Sequence, residues 1–458
     1  MNRIMRRARV VLILVLLLAL GMAFFIGEYF AMSGKWVMFP GSPHIYNADN
    51  IGCGVISDRE GILLLDLTGD RTYARNDRLR KSTLHWLGDR NGNISAPALT
   101  HYAKELSGFD PISGVYAYGG TGGQAVLTLS AEVQMAALDA MGDYRGTVAV
   151  YNYMTGEIIC AVTTPTFDPE YPLGDEISNS ELYEGVYMNR FTQSTYTPGS
   201  IYKIVTAAAA LESIPDIEQQ QFLCTGEVYY GADHVSCEQP HGNLTFREAF
   251  ARSCNCSFAK IADQLGGETL EKYAKQFGIT DSVKFDGIST SAGNISASNA
   301  APVQIAWSAI GQHRDLINPC TYMTFLGAIA SGGSGVSPHI VQQISTGDKI
   351  TYKADSSHSD RIMSEKTALT LQQMMRNNVM MYYGDDNFPG LSVCAKSGTA
   401  EVGGDKKPNA MFAGFVMDEE YPLAFIACVE DGGYGRQVCV PILSKVLEAC
   451  CAMIDEQA

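Results

Sequence analysis

The sequence predicts an α+β fold in which helices flank an antiparallel sheet, and three observations carry that prediction. Three C-terminal runs, Val393 to Val402, Asn409 to Met417 and Leu423 to Glu430, alternate as strands do. Two earlier runs, Gly146 to Tyr153 and Glu157 to Thr163, meet at Thr155-Gly156 as a hairpin. Ala- and Leu-rich stretches at Ser200 to Leu211, Pro302 to Ala330, Glu365 to Met380 and Val438 to Met453 have helix-forming composition and an apolar side to bury.

From the N-terminus, Arg3, Arg6, Arg7 and Arg9 precede an uncharged apolar run from Val10 to Ile26. As a helix that run is roughly 26 Å long, close to the hydrocarbon thickness of a bilayer. The flanking arginines place the N-terminus in the cytoplasm and the remainder outside. A cleaved signal peptide is the rival, with Ala31-Met32-Ser33 as a small-x-small site, but the run exceeds the usual signal core and favours an uncleaved anchor. The expected division is therefore residues 1–32 as cytoplasmic tail and transmembrane anchor, 33–124 as a short extracellular pedestal, and 125–458 as the main domain. Within the pedestal, Gly54 to Asp58 and Gly61 to Leu65 read as short strands, and Gly119 to Gly123 lacks the Lys-Ser/Thr ending of a phosphate loop.

The main domain opens with Thr128-Leu129 and a helix from Ala131 to Met141. Thr245-Phe246-Arg247-Glu248 is a capping box, and the helix it starts is interrupted at Ser253-Cys254-Asn255 before a helical pattern resumes at Phe258. No internal repeat is present. The 458 residues, 46% hydrophobic and 18% charged, suffice for a large core, and a net charge of −16 argues against nucleic acid as a partner.

The twelve cysteines include no C-x-x-C pair, which indicates neither a redox motif nor a zinc ribbon. Cys224 and Cys237 flank an apparent hairpin from Glu227 to Ser236, and both a disulfide and free thiols stay open. Zinc held by these two with His241 is disfavoured, because the spacing matches no tight ligand pair.

The chemistry is concentrated around Thr197-Pro198-Gly199-Ser200-Ile201-Tyr202-Lys203. Pro198-Gly199 is a turn, and on the following helix residues three apart share a face, so the Ser200 hydroxyl stands beside the Lys203 amine. A buried amine has a lowered pKa, and Lys203 can then take the proton of Ser200 and make it a nucleophile. S-x-x-K alone matches often by accident. Two further motifs follow in order: Ser253-Cys254-Asn255 supplies a second hydroxyl and a carboxamide, and Lys396-Ser397-Gly398-Thr399 lies on the first closing strand. There Gly398 would let a substrate backbone approach, while Lys396 is a cation suited to a carboxylate and Thr399 adds a hydroxyl. The motifs are about 50 and about 140 residues apart, an order and spacing that make coincidence improbable.

S-x-x-K, S-x-N and K-S-G-T in this order form the signature set of penicillin-binding proteins and serine β-lactamases. From about Gly123 onward the chain resembles a class B penicillin-binding protein, most of all the compact penicillin-binding protein A group. Supporting stretches are Asn189-Arg190-Phe191-Thr192-Gln193, His241-Gly242, Gly311-Gln312, Asn318-Pro319, and Thr128-Leu129 with Gln134.

The resemblance implies a helix–sheet–helix transpeptidase domain with its cleft at the sheet edge. It further implies Ser200 as the acylated nucleophile, Lys203 as its base, Ser253 as a proton relay and Asn255 as the holder of the substrate amide. Lys396, Ser397 and Thr399 would orient the donor carboxylate, with Gly398 between them in the substrate-binding strand, and the backbone N–H groups of Ser200 and Thr399 would form an oxyanion hole.

The implied substrate is the D-alanyl-D-alanine stem peptide of peptidoglycan, cross-linked to a neighbouring stem amine in service of cell shape or cell division. Penicillin and other β-lactam antibiotics would acylate the same serine, and no metal or cofactor is implied. With water as acceptor the same motifs would serve a D,D-carboxypeptidase or β-lactamase; the anchor and pedestal argue against a β-lactamase. The implied partner is a membrane glycosyltransferase of the shape, elongation, division and sporulation family, since no glycosyltransferase module fits before Ala125. The expected location is the cell membrane, single-pass, with the catalytic domain extracellular. Two positions depart from the common pattern: Cys254 stands where many relatives have Asp, and Met411 where many have Trp.

Overall fold

A computed structural model of the chain describes residues 2–36, 46–47, 50–51, 53–68, 70–109, 112, 122–404 and 406–457. The Gly119 to Thr121 part of the glycine cluster, and most of the segment just after the anchor, lie outside the described residues. Asn2–Trp36 is one helix whose apolar residues are exposed along its length. Its Arg3–Ser33 portion is long and apolar enough to cross a membrane. Among the described residues Gly435–Gln457 passes the same test of length and composition, yet it packs on the central sheet as a core helix.

That sheet has five antiparallel strands in the order Val393–Ala400, Asn409–Val416, Leu423–Glu430, Arg145–Asn152, Ile158–Thr164. Both faces are buried, and successive residues alternate between two apolar clusters. Ala413, Phe415, Ile426 and Ala149 face the cluster built with the helices Lys203–Ser213 and Pro319–Ala330. Phe412, Phe425, Val148 and Val150 face the one built with Ala131–Met141 and Gly435–Gln457. The α+β expectation is met, with the strand pairs closing within two residues of the predicted ends.

The division at residue 124/125 runs through a second sheet, of six strands. Gln124–Leu127 pairs with Val55–Ser57 on one side and Val341–Thr346 on the other, and Leu63–Asp66, Thr72–Tyr73 and Lys349–Lys353 complete it. Asp58, fully buried, accepts from the Ala131 amide at 2.9 Å and so caps the helix Ala131–Met141 from the far side of that division. A helix not anticipated in the sequence, Asp77–Leu87, packs on the same helix and on Ile158–Thr164. Its Trp86 Nε1 donates to the Ala161 carbonyl at 2.8 Å, and Gln134 Nε2 donates to the Ser82 carbonyl at 2.9 Å. The described pedestal residues from Val55 onward thus share the core of the main domain. A strand needs partners for its backbone groups wherever they lie in sequence, and Gln124–Leu127 finds them on both sides of the chain.

Candidate active site

Ser200 lies in a 3-10 turn, Gly199–Tyr202, that leads into the α-helix Lys203–Ser213. In a 3-10 turn residues three apart eclipse one another, which is tighter registry than the α-helix expected from sequence. Lys203 Nζ lies 3.0 Å from Ser200 Oγ. The turn is pinned from behind: Gly199 donates its amide to the Gly311 carbonyl at 2.8 Å, and Tyr322 Oη donates to the Ile201 carbonyl at 2.7 Å. Gly199 has φ +54, and a Cβ there would stand 2.6 Å from the Thr399 carbonyl oxygen.

The segment before the turn is fastened to the sheet. Arg190 Nε donates to Glu430 at 2.8 Å, and Asn318 Nδ2 donates to the carbonyls of Thr192 and Ser194 at 3.0 and 2.9 Å. Asn318 also caps the helix Pro319–Ala330. These contacts give a physical role to the Asn189–Gln193, Gly311-Gln312 and Asn318-Pro319 stretches.

Ser253 ends the helix Phe246–Ala251, which opens with the predicted capping box. The Ser253 amide bonds the Phe250 carbonyl and the Cys254 amide bonds the Ala249 carbonyl, the paired pattern of a Schellman motif. The left-handed position of that motif normally holds glycine; here Ser253 occupies it, with φ 53. The strained backbone aims the hydroxyl at both lysines, 3.0 Å from Lys203 Nζ and 3.0 Å from Lys396 Nζ. Asn255 begins the next helix, Asn255–Leu265. Its Oδ1 is 2.6 Å from Lys203 Nζ, and its Nδ2 donates to the Ser236 carbonyl at 2.8 Å.

Lys396 is on the edge strand of the five-stranded sheet and is fully buried. Within the chain its amine turns to Ser253 and to the Ser397 carbonyl, the latter at 3.1 Å. Ser397 and Thr399, by contrast, line the cleft. Gly398 packs closely against the rest of the chain. A Cβ there would meet the Pro198 carbonyl at 2.9 Å and Ile201 Cγ2 at 3.0 Å, so its missing side chain makes room for the nucleophile turn of the same chain. Met411, opposite Gly398 in register, is a buried core residue.

Electrostatics separates the two lysines from ordinary ones. Burial, joined by the neighbouring Lys396 ammonium, pushes the Lys203 pKa well below the usual lysine value. Burial alone brings Lys396 down to about 7. A neutral Lys203 has a lone pair to offer the Ser200 proton, while Lys396 can supply a positive charge or a proton near neutrality.

The five groups Ser200, Ser253, Asn255, Ser397 and Thr399 line one cleft of about 830 Å³, joined by Trp307 and Glu401. Sequence reasoning missed Tyr383, whose hydroxyl accepts from the Ser397 amide at 3.1 Å and lies 3.2 Å from Ser397 Oγ. It sits at the end of a short π-helical turn, Val379–Tyr383, and no local motif marked it.

The chain is similar to known proteins along most of this framework. A family model for the penicillin-binding protein transpeptidase domain matches residues 146–448. Peptidoglycan D,D-transpeptidase PbpA of Mycolicibacterium smegmatis is 28% identical over 343 residues, 68% of each chain. Penicillin-binding protein A from M. tuberculosis, solved as a ceftriaxone acyl-enzyme complex, superposes with a TM-score of 0.75 at 23% identity, covering 87% of this chain and 98% of that one. The D,D-transpeptidase domain of a peptidoglycan glycosyltransferase from Eggerthella lenta gives a TM-score of 0.77 at 23% identity, covering 89% and 99%.

Proposed function

The chain belongs to the penicillin-binding protein transpeptidase family, and on that premise we propose that it is a membrane-anchored peptidoglycan D,D-transpeptidase with Ser200 as nucleophile. The observation that carries the reading is the 3.0 Å separation of Ser200 Oγ from the buried amine of Lys203. Lys203 takes the hydroxyl proton as Ser200 Oγ bonds to the penultimate D-alanine carbonyl carbon of a D-alanyl-D-alanine stem. Backbone N–H groups of Ser200 and Thr399 receive the developing oxyanion, each donor contributing on the order of 3 kcal/mol. Ser253 passes a proton from the lysine pair to the departing D-alanine nitrogen, and the C–N bond breaks. An amine of a neighbouring stem then attacks the ester and gives its proton to Lys203, and Ser200 leaves with its hydroxyl restored.

In this reading Asn255 holds the substrate amide, while Ser397 and Thr399 hold the donor carboxylate. Lys396 acts on that site through Ser253 and by its charge. A β-lactam follows the first half of the same path and stops at the acyl-enzyme. The N-terminal helix anchors the protein, with Arg3 to Arg9 cytoplasmic, a single crossing, and the catalytic cleft on the outer side. A membrane glycosyltransferase of the shape, elongation, division and sporulation family supplies the glycan, and the anchor helix is one contact with it.

Fluorescent penicillin should label the detergent-solubilised chain, with peptide mapping expected to find the adduct on Ser200. Folded protein that takes no label, or that labels equally well as Ser200→Ala, overturns the reading. Rapid hydrolysis of nitrocefin would shift it to a β-lactamase.

A further inference from the structure

The Tyr383 hydroxyl is buried behind the cleft and spends its whole hydrogen-bonding capacity on one cleft residue. Its oxygen accepts from the Ser397 amide at 3.1 Å and lies 3.2 Å from Ser397 Oγ. Among the described residues no other polar atom lies within hydrogen-bond distance of it.

The surroundings hold the phenol in that place. Val379–Tyr383 is a π-helical turn, closed by the Gly384 amide on the Val379 carbonyl at 2.9 Å. Such a turn carries one residue more than an α-turn and so re-aims the side chain that ends it. Asn387 Nδ2 donates to the Tyr383 carbonyl at 2.7 Å, and the ring packs edge-on against Phe412 with centroids 5.2 Å apart. The preceding helix, Glu365–Asn378, is fastened to the strand that carries Ser397: Asn378 Nδ2 donates to the Ala395 carbonyl at 3.1 Å, and Arg376 to the Val393 carbonyl at 3.3 Å. Helix and strand therefore keep the two hydroxyls in register.

The direction of the bond between them follows from counting protons. The phenol has one proton and the serine hydroxyl has one. Burial pushes the Tyr383 pKa above its ordinary value, so the phenol keeps its proton at neutral pH. That proton has a single acceptor in reach, Ser397 Oγ. The opposite direction would leave it buried without an acceptor, which is costly. Tyr383 thus donates to Ser397 Oγ, and the Ser397 proton points away from Tyr383. Ser397 lines the cleft, so the cleft receives that proton.

We propose that Tyr383 is a positioning residue that holds Ser397 as a hydrogen-bond donor to the cleft, and that the cleft thereby selects donor stems ending in an ionised carboxylate over those ending in a neutral carboxamide. The proposal rests on the acyl-transfer reading of the same cleft. A carboxylate only accepts hydrogen bonds, whereas a carboxamide brings N–H groups of its own. Thr399, two residues along and on the same face of the strand, lines the cleft with Ser397. Tyr383 itself stays behind the strand and acts through Ser397.

The test compares two donors on the full chain in detergent: an N-acyl-D-alanyl thioester ending in a free carboxylate, and the same thioester ending in a carboxamide. Wild type should acylate faster with the carboxylate donor. In Tyr383→Phe the carboxylate-to-carboxamide ratio of kcat/KM should fall about tenfold, the loss falling mainly on KM for the carboxylate donor. Ser397→Ala should lower the ratio similarly, and adding Tyr383→Phe to it should change the ratio no further. The proposal falls if wild type does not distinguish the two donors, if Tyr383→Phe slows both by the same factor, or if the two substitutions lower the ratio independently. Wild-type Ser200 left unacylated by both donors and by penicillin would overturn the acyl-transfer reading itself, and this assignment with it.

Discussion

Lys203 and Ser253 are joined twice: the lysine amine lies 2.7 Å from the serine carbonyl oxygen and 3.0 Å from its hydroxyl. The first contact fixes the left-handed backbone of Ser253, and the second uses the hydroxyl which that backbone aims. Function and strain therefore coincide at one residue.

Substituting Ser253 separates them. Ser253→Gly and Ser253→Ala both lose the relay hydroxyl, and penicillin acylation should fall sharply in each. Glycine adopts φ 53 freely and alanine does not, so the glycine variant should be the more stable of the two by about 1 kcal/mol. Thermal melting of the two purified variants reads the difference; equal stabilities would remove the strain argument.

Lys203→Met keeps a similar length of apolar chain and removes the amine. The acylation rate should drop by about 10²- to 10⁴-fold, the usual contribution of a positioned base. The variant should remain folded, because a buried ionisable group has been replaced by an apolar one. Stopped-flow labelling alongside circular dichroism distinguishes loss of chemistry from loss of fold.

The pH profile of acylation should be bell-shaped. Lys203 acts deprotonated, so the rate rises with pH through its pKa, which burial and the neighbouring Lys396 charge hold well below the usual lysine value. Lys396, at about 7, contributes as a cation, so the rate falls as pH rises past that value. Lys396→Met should lower the maximum and abolish the alkaline fall. Rates measured from about pH 5 to about pH 9 contain both limbs; an alkaline limb persisting in Lys396→Met would dissociate it from Lys396.

Gly398→Ala should disrupt two elements together. Its Cβ would press on the Pro198 carbonyl at 2.9 Å and on Ile201, moving the nucleophile turn away from the edge strand. A destabilisation of about 1–3 kcal/mol is expected, together with loss of labelling at temperatures where the protein is still folded.

Asp58→Ala tests whether the region before residue 125 is part of the main domain. Asp58 accepts from the amides of Ala131, Ile62 and Glu60 at 2.9, 2.7 and 3.1 Å while fully buried. Its loss should lower stability by about 1–3 kcal/mol in one cooperative transition. A separate low-temperature transition would mean that the two regions unfold independently.

Much of the fold was legible along the chain, for local reasons. The helix Ala131–Met141 and the capping box at Thr245 follow from patterns a few residues long. The helix Asp77–Leu87 also carried a local signal, Asn76 as N-cap and Gly88 after its end, which the mixed composition around it obscured. The six-stranded sheet carried none, because its strands come from residues 55–73, 124–127 and 341–353.

By itself the sequence determined which groups are present and in what order: Ser200 three residues before Lys203, Ser253 two before Asn255, and Lys396 within a strand rich in small residues. Hydrophobic periodicity and short motifs act over a single element, so these were readable in one dimension. Only the tertiary structure decided that Lys396 turns to Ser253, that the space left by Gly398 is filled by Pro198 and Ile201, and that Cys254 meets Cys224, Cys237 and His241. Burial, the lowered lysine pKa values and the convergence of side chains depend on atoms brought together from distant segments, and distance in space is not encoded by distance along the chain.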